Sequence, residues 1–332
     1  MPRKISDEDF IACWQRCNNA KEVSKILGVS QRQALLRRRS MESRYGIQLK
    51  SNTAVVNSAN KTLSSAFRAD ELARERVTRY EDEMHGTLID GVLMVGSDAH
   101  YWPGIVSPAH EAFCRLAKVL NPKMVVLNGD IMDGARISRH PRALWRQLPT
   151  VKDEVHAMQD RCAEIERAAP RSTLVRTIGN HDARFENYLC SNAPEFEEMT
   201  GTSLIHYLPR WRAGWALHLN ASTHGWTVIR HRHVSGGIHS AYASTVRAGV
   251  HYVHGHLHKL QCVSFGDYRG RRYGIDCGTL ADPKGPQFAY TEGGPLNWSS
   301  GFYVLTFKGG VLLPPEPCLI DRGKAWFRGE EI

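Results

Sequence analysis

The apolar positions from residue 91 onward change repeatedly between short continuous runs and helical spacing. Segments 109–121 and 150–169 carry apolar residues three or four positions apart, which predicts amphipathic helices. The apolar runs that predict strands are GVLMVGSD (91–98), KMVVLNGD (123–130), TLVRTIGNHD (173–182), WTVIRH (226–231) and VHYVHGHLH (250–258). CVSFGDYRGRRYGIDCGTL (262–280) predicts a hairpin that turns at Tyr268–Gly270. This alternation predicts an α/β fold with strands inside and helices outside.

The first 50 residues have a different pattern, which predicts a small helical module. Val23, Ile26 and Leu27 form one apolar helical face, and Gly28 suits a tight turn after it. Ser30 and Gln33 have the spacing of a capping box, so a second helix is predicted to begin there.

The second helix is predicted to bury Ala34 and Leu35. It is expected to expose four basic residues, namely Arg32, Arg37, Arg38 and Arg39. The segment ILGVSQRQALLRRR resembles a helix-turn-helix, in which the second helix enters the major groove of DNA. A basic helical hairpin used for packing or oligomerisation is the alternative. Residues 51–88 are expected to be a linker rich in Ser, Asn and Ala, followed by a short charged helix.

Composition indicates a globular chain of at most one large and one small domain. Its 332 residues are 42% hydrophobic and 23% charged. No run of 18 apolar residues appears, so no membrane span is expected, and the N-terminus lacks the apolar segment of a signal peptide. Only Cys13 and Cys17 among the eight cysteines are closely spaced, which favours reduced thiols in a cytoplasm over a zinc site.

Basic charge and potential metal ligands lie in different parts of the chain. The net charge is +9, and residues 1–50, with 11 Lys/Arg and 5 Asp/Glu, carry +6 of it. All 16 histidines follow residue 84. This separation indicates two modules, residues 1–50 and 89–332.

Every predicted strand from residue 91 to 258 ends in polar residues that can bind metals. The five ends carry, in order, Asp98 with His100; Asp130 with Asp133; Asn180, His181 and Asp182; His231; and His256 with His258. Because strand ends form the ligand-binding crevice of α/β sheets, these side chains are expected to meet. Clustered carboxylates and imidazoles need a cation between them, and seven strong ligands suit two ions that share a carboxylate. Mixed nitrogen and oxygen ligands favour Mn, Fe, Zn, Co or Ni over Mg or Ca.

These motifs, in this order, resemble the calcineurin-like metallophosphoesterase superfamily. The matching blocks are DAH (98–100), GDIMD (129–133), GNHD (179–182), HRH (231–233) and GHLH (255–258), which span most of residues 90–280. The resemblance implies a four-layer β-sandwich flanked by helices and hydrolysis of phosphoesters by a water activated between two metals. HRH departs from the family pattern because Arg232 stands where glycine is usual.

Residue roles follow from the resemblance. The first metal would be held by Asp98, His100, Asp130 and His258, and the second by Asp130, Asn180, His231 and His256. His181 would stabilise the transition state or protonate the leaving oxygen, and Asp133 would orient the ligands. Manganese is the favoured ion. Two histidines compete in the fourth block: His231 is preferred because it closes the strand, and His233 is expected to contact substrate.

A basic segment after Asp130 adds to the case for a nucleic-acid substrate. GARISRHPRALWR (134–146) places Arg136, Arg139, His140, Arg142 and Arg146 around Trp145, where they could grip a phosphate backbone or lie on a solvated loop. The whole-chain arrangement also resembles metallophosphoesterases of bacteriophages and prophages, which implies a bacterial host cytoplasm.

The favoured function is therefore a phosphodiesterase or nuclease acting on DNA. One alternative is a phosphomonoesterase or small-molecule phosphodiesterase. Another is a DNA-binding regulator whose phosphoesterase domain is not catalytic. The sequence does not specify an oligomeric state.

Overall fold

The computed structural model describes residues 5–49, 80–140, 145 and 147–332. Contacts along the chain divide it into two compact units, Met1–Arg76 and Val77–Ile332. The expected linker and most of the charged helix after it lie outside the described residues, as do Arg142 and Arg146. Among the described residues, no helix combines the length and apolar character needed to cross a membrane.

The described part of the first unit is helical. It contains helices α1 (Asp7–Cys17), α2 (Ala20–Leu27) and α3 (Gln31–Tyr45). Gly28 ends α2 in the left-handed conformation, and the capping box predicted from Ser30 and Gln33 is present at the start of α3. The helices bury a small shared core that includes Phe10, Cys13, Trp14, Val23, Ala34, Met41 and Leu49.

Four predictions about side-chain exposure in this unit are wrong. Leu35 is 44% exposed and Ile26 is 55% exposed, so neither belongs to the core. Arg37 and Arg38 are half-buried rather than free, because Phe10 and Trp14 lie under their guanidinium groups. Acidic neighbours also bind them: Arg37 lies 3.0 Å from Asp7 and Arg38 lies 3.0 Å from Glu42. Helical spacing alone could not show that α1 brings Asp7, Phe10 and Trp14 to α3, although it does place Glu42 one turn after Arg38.

The second unit has a mixed α/β architecture, as expected. Its described strands are β1 (Met84–Gly86), β2 (Gly91–Gly96), β3 (Met124–Asn128), β4 (Thr173–Thr177), β5 (Arg212–Gly214), β6 (Ala216–Leu219), β7 (Thr227–Arg230), β8 (His251–His254), β9 (Leu260–Asp267), β10 (Gly270–Cys277), β11 (Gly301–Lys308), β12 (Val311–Leu312), β13 (Glu316–Asp321), β14 (Lys324–Phe327) and β15 (Glu330–Glu331). Its described α-helices are α4 (Pro108–Leu120), α5 (Val151–Ala168), α6 (Asp182–Asn192) and α7 (Ser240–Ala248).

Within the described residues the strands form two sheets. One has the order β1-β6-β7-β8-β10-β9, and the other has the order β15-β14-β13-β11-β2-β3-β4-β5, with β12 added beside β11. The hairpin predicted near Tyr268 connects β9 to β10. Strand β1 pairs with β6, so residues 84–86, which were expected in the linker segment, already belong to a sheet.

Alternating side chains of β2 show how the layers pack. Leu93 and Val95 join a core that contains Leu217 and Ile275 of the other sheet. Met94 points the opposite way, into a core formed with α4 and α5. Helix α7 packs on the outer face of the second sheet, against β8, β9 and β10. The layers are therefore helix, sheet, sheet and helix.

The strand directions bring the polar strand ends together. Strands β2, β3 and β4 are parallel neighbours in one sheet, and β7 and β8 are parallel neighbours in the other. The loops after these five strands carry the motifs that the sequence analysis singled out. Parallel strands end at the same edge of a sheet, which is where ligands bind in such folds.

Candidate metal centre

Histidine and aspartate side chains from these five loops meet in three neighbouring groups, two of which share His100. Each group has ligand atoms within 4.8 Å of one another. The groups are Asp98–His100–His258, Asp130–His231–His256 and His100–Asp133–His181. Side chains that can bind metals therefore come from distant parts of the chain and lie in one buried cluster.

The first group is built around the buried carboxylate of Asp98. Nε2 of His258 lies 3.1 Å from Oδ1 of Asp98, and Nε2 of His100 lies 4.0 Å from the same oxygen. Burial by itself would raise the pKa of Asp98, but His258 and His231 outweigh it and hold the pKa at about 2. Asp98 is therefore an anion that faces imidazole nitrogens.

The second group is built around Asp130. Nε2 of His231 lies 3.1 Å from Oδ2 of Asp130, and Nδ1 of the same ring donates to the carbonyl oxygen of Asn128 at 2.8 Å. This hydrogen bond places the Nδ1 proton away from the cluster and leaves Nε2 facing it. Burial opposes protonation of His231, yet Asp130 and Asp98 together raise its pKa to about 10.

Asp133 connects the first group to His181. Its Oδ1 atom lies 3.0 Å from Nδ1 of His100 and 3.1 Å from Nδ1 of His181. Nδ1 of His181 also lies 2.9 Å from the Asp133 carbonyl oxygen, to which it can donate. Arg184 donates to that carbonyl at 2.9 Å and to Nε2 of His181 at 3.0 Å. Burial lowers the pKa of His181, but Asp130 and Asp133 outweigh it, so the pKa is raised.

The backbone at the cluster is strained. Five of its residues have positive φ angles, a conformation that is uncommon outside glycine: Asp98, His100, Asp130, His256 and His258. Backbone strain of this kind concentrates at functional sites, where the surrounding structure maintains it. Neighbouring glycines allow close approach, because a Cβ atom at Gly179 would overlap Asp130 and one at Gly255 would overlap Ser97 and Asp98.

Asp182 anchors the loop that carries Asp130, a role that the sequence analysis did not assign. Its buried carboxylate accepts hydrogen bonds from the backbone N–H groups of Asp130 at 2.9 Å and Ile131 at 3.0 Å. It also accepts from the N–H of Gly179 at 2.9 Å. The position of Asp182 in GNHD was visible in the sequence, but its partners in the Asp130 loop, the N–H groups of Asp130 and Ile131, lie about fifty residues earlier.

The donor atoms of the cluster fit a divalent cation. His100 Nε2, His231 Nε2 and Asn180 Oδ1 are buried and form no hydrogen bond within the described part of the chain. Nε2 of His231 lies 3.1 Å from Oδ2 of Asp130, but the angles at the two atoms do not suit a hydrogen bond. Buried polar atoms of native proteins are nearly always satisfied, and a transition-metal ion would satisfy a mixture of imidazole, carboxylate and amide donors.

The competing histidine of the fourth block lies beside the cluster. His233 belongs to none of the three groups found among the described residues. Its ring stacks on His256 with centroids 5.5 Å apart and an interplanar angle of 29°. This geometry supports His231 over His233 as the residue that faces Asp130.

The basic segment after the second motif is partly occupied by structural contacts. Arg136 donates to the carbonyl oxygens of Leu148 at 2.6 Å and Pro149 at 3.1 Å, so its guanidinium group closes the loop. Arg139 and His140 are exposed, and Trp145 is fully exposed. His140 also lines a cavity beside the cluster.

This cavity has a volume of about 590 Å³, and Asp133, Asn180 and His181 form part of its wall. The lining residues that sequence reasoning did not find include Trp102, Arg184, Gln287 and Tyr290. Arg184 lies two residues after GNHD and could have been suspected from its position. Gln287 and Tyr290 come from a short 3-10 helix, Pro286–Thr291, more than 100 residues later and carry no motif.

Comparison with known proteins identifies phage relatives. No protein-family model matches the chain. The Gene 54 protein of Mycobacterium phage L5 is 26% identical over 219 residues, which are 58% of this chain and 80% of the phage protein. The Gene 54 protein of Mycobacterium phage D29 is 27% identical over the same shares. The chain is thus similar to two mycobacteriophage proteins over most of their length.

Solved structures with some similarity include two Vps29 proteins. Vps29 of Entamoeba histolytica, complexed with Zn²⁺, has a TM-score of 0.40 and 14% identity over 72% of this chain and 98% of its own. Vps29 of Chaetomium thermophilum has a TM-score of 0.40 and 12% identity over 73% and 96% of the two chains.

Proposed function

We propose that this chain is a metal-dependent phosphoesterase that hydrolyses phosphodiester bonds in DNA with the help of two divalent ions. The observation that carries the proposal is the cluster at the five strand ends. Asp98 and Asp130 are buried, ionised and surrounded by imidazoles that come from separate loops. Burying so many metal-ligating groups is costly unless cations bind between them.

The ligands would divide between the two ions as the family resemblance implies. Asp98, His100, Asp130 and His258 would hold the first ion, and Asp130, Asn180, His231 and His256 the second, with Asp130 shared. Manganese is the favoured ion, and Fe, Zn, Ni and Co suit the same donors. Such a pair of ions, when bound, supplies an activated water and stabilises charge on the oxygens around phosphorus.

The other residues act on the substrate or on the ligands. His181 would donate a proton from Nε2 to the leaving oxygen, because the ring lines the cavity beside the cluster. This nitrogen accepts from Arg184 in the structure, so Arg184 would have to move its hydrogen bond to the phosphate and leave Nε2 free to carry the proton. Arg184 would bind a non-bridging phosphate oxygen with its guanidinium group. Asp133 would hold the rings of His100 and His181 in the required orientation through their Nδ1 atoms.

DNA is the proposed substrate because the chain is basic and its excess charge is concentrated at one end. Residues 1–50 carry +6 of the net +9. Arg32 and Arg39 of α3 are exposed and so are Arg139 and His140 near the cavity. A helix-turn-helix use of α2 and α3 belongs to this proposal, as do phosphate contacts from Arg32, Arg39, Arg139, His140 and His233. Arg37, Arg38 and Arg136, which were expected to contact DNA, are already held by other groups of the protein and are left out of it. The phage relatives support action in a bacterial cytoplasm.

A small phosphoester is the second candidate substrate. The cavity beside the cluster, at about 590 Å³, has the size of a small-molecule site. A phosphomonoesterase or a small-molecule phosphodiesterase would use the same metal ligands.

One set of assays tests the proposal and separates the two substrates. The protein is stripped with a chelator, reconstituted with Mn²⁺ and incubated with p-nitrophenyl phosphate, bis-p-nitrophenyl phosphate, single-stranded DNA and duplex DNA. We expect Mn²⁺-dependent cleavage of the diester and of DNA, with little cleavage of the monoester. Faster cleavage of the monoester would favour the second candidate, and no cleavage of any substrate would contradict the proposed function.

A further inference from the structure

The cavity beside the proposed centre differs chemically from the cluster that it adjoins. Its wall contains two aromatic side chains, Trp102 and Tyr290, together with the cationic Arg184 and the amide of Gln287. None of these four belongs to the groups that could hold a metal within the described residues. The cavity therefore offers a second set of contacts next to the reacting phosphate.

We infer that this cavity binds one unpaired nucleotide of the substrate, with the base against Trp102 and Tyr290 and the phosphate at Arg184. The inference rests on the proposed function, because it assumes that a phosphodiester reacts at the neighbouring centre. It adds a substrate class, namely phosphodiesters that carry an unpaired nucleoside.

The side of the cavity next to the cluster suits a phosphate. Arg184 donates to Nε2 of His181 and to the Asp133 carbonyl, so its guanidinium group is held beside the proposed proton donor. Guanidinium groups bind phosphate through paired N–H donors. The carboxylate of Asp133 is already engaged by His100 and His181, which reduces its repulsion of an anion.

The remaining wall suits a nucleobase. Aromatic side chains stack on any base because every base has a π-face. Gln287 is only 7% exposed, and its Oε1 atom has no hydrogen-bond partner among the described residues. A buried acceptor without a partner is costly, and a turn of the Gln287 side chain toward the cavity would let an N–H group on the edge of a base satisfy it.

The cavity has room for one nucleotide, and a paired base would have to leave its duplex to enter it. A volume of about 590 Å³ lies within the usual range for small-molecule sites. A base in a duplex is covered on its edge by its partner and on both faces by its neighbours, so it must first leave the stack. Single strands, strand ends and small nucleoside diesters present such a base without that cost.

The test compares two diesters that share the scissile bond and the leaving group. Thymidine 5′-(4-nitrophenyl phosphate) and methyl 4-nitrophenyl phosphate differ only in the group that would enter the cavity. With the Mn²⁺-loaded protein we expect kcat/KM to be at least roughly tenfold higher for the thymidine ester, within the 5- to 150-fold expected from base stacking. Equal values for the two esters would overturn the inference and leave the proposed function intact.

Variants test whether the preference for the thymidine ester over the methyl ester arises in this cavity. Trp102→Ala should lower the ratio of the two kcat/KM values by roughly 5- to 150-fold, and Trp102→Phe should keep most of it because the ring remains. Tyr268→Ala, at the fully exposed hairpin turn, is the control and should leave the ratio unchanged. A ratio that survives Trp102→Ala would overturn the assignment of the base to this cavity.

Binding gives a readout that does not depend on turnover. Calorimetric titration of the Mn²⁺-loaded protein should show thymidine 5′-monophosphate binding at least tenfold more tightly than inorganic phosphate. Equal affinities for the two ligands would contradict the inference. This result can be read even if neither ester is hydrolysed, whereas the absence of hydrolysis would contradict the proposed function. Single-stranded and blunt duplex oligonucleotides then distinguish the source of the nucleotide: cleavage of duplex interiors at the single-strand rate would overturn the requirement for an unpaired base.

Discussion

Nδ1 of His100 lies 3.0 Å from Oδ1 of Asp133. The carboxylate therefore contacts one nitrogen of the ring, while the other, Nε2, forms no hydrogen bond with the described residues. Both residues are buried. The pair sets the orientation of a proposed ligand, because a histidine whose Nδ1–H is held by a carboxylate presents Nε2 in one direction. Asp133 also lies 3.1 Å from Nδ1 of His181, so one carboxylate positions both a ligand and the proposed proton donor.

Replacing Asp133 should weaken metal binding and slow hydrolysis together. Asp133→Asn keeps the shape of the side chain but removes the charge that holds the two imidazoles. Loss of such a supporting group typically costs about 10- to 100-fold in metal affinity or activity. Titration with Mn²⁺ and the rate on bis-p-nitrophenyl phosphate measure the two effects. Asp160→Asn, on the exposed face of α5, is the matched control. An Asp133→Asn protein with the same Mn²⁺ affinity and rate as this control would contradict the positioning role.

His181→Ala should retain metal and lose rate. The side chain is not among the proposed ligands, and proton donation typically contributes ~10²–10⁴-fold. The loss should be smaller for a nitrophenolate leaving group than for a deoxyribose oxygen, because nitrophenolate leaves without a proton. Metal analysis and rates on both substrates check this. An equal loss on the two substrates would show that His181 acts other than as a proton donor.

Acid should destabilise the second unit through His251, which lies away from the cluster. Burial lowers the pKa of this histidine to about 4, and its Nδ1 atom accepts from the N–H of Tyr273 at 3.0 Å. The folded pKa lies below the unfolded value of 6.5, so the unfolded state takes up the proton first and stability falls as the pH drops from 6.5 toward 4. Between pH 7.5 and 5 the loss is about 2 kcal/mol.

Urea unfolding of a His251→Asn variant tests this dependence. Asparagine can accept the Tyr273 hydrogen bond but does not titrate, so the variant should lose less stability than the wild type over the same pH range. Its stability at pH 7.5 should be lower, because the ring of His251 stacks on Tyr273. His85→Asn, whose side chain is 61% exposed, is the control. Identical pH slopes for His251→Asn and the wild type would contradict the prediction.

DNA binding should depend on the exposed arginines of α3. Arg32 and Arg39 are exposed, whereas Arg37 and Arg38 are held by acidic partners within the first unit. Each lost phosphate contact on duplex DNA removes about 0.9 from the slope of log affinity against log salt. Replacing Arg32 and Arg39 with alanine should therefore reduce the slope by about 1.8. An equal change in a double variant of the exposed Arg171 and Arg269 would show that only net charge matters.

The strands and their polar ends could be predicted because both signals are local. An apolar run followed by Asp98 or Asp130 shows a buried strand and the residue that closes it, and the topology of parallel strands then brings the ends together. The capping box at Ser30 and Gln33 was predictable for the same reason, since its two hydrogen bonds lie within one helical turn.

The features that could not be predicted from the sequence depend on contacts between distant segments of the chain. Leu35 has helical spacing with buried residues, yet it is exposed because the small three-helix core does not reach that side of α3. Trp102, Gln287 and Tyr290 meet Arg184 only in the folded chain, so no spacing rule links them. Asp182 stood inside a recognised motif, but only its backbone partners show that it supports the Asp130 loop.

Metal content and diester hydrolysis of an Asp130→Asn protein test the central claim most directly. Asp130 is the proposed bridge, so it would contribute to both metal sites, and asparagine preserves its size while removing its charge. We predict two equivalents of Mn²⁺ in the wild type, fewer in the folded variant, and no measurable hydrolysis of bis-p-nitrophenyl phosphate by the variant. A folded Asp130→Asn protein that retained two equivalents of Mn²⁺ and the wild-type rate would contradict a two-metal centre at these strand ends.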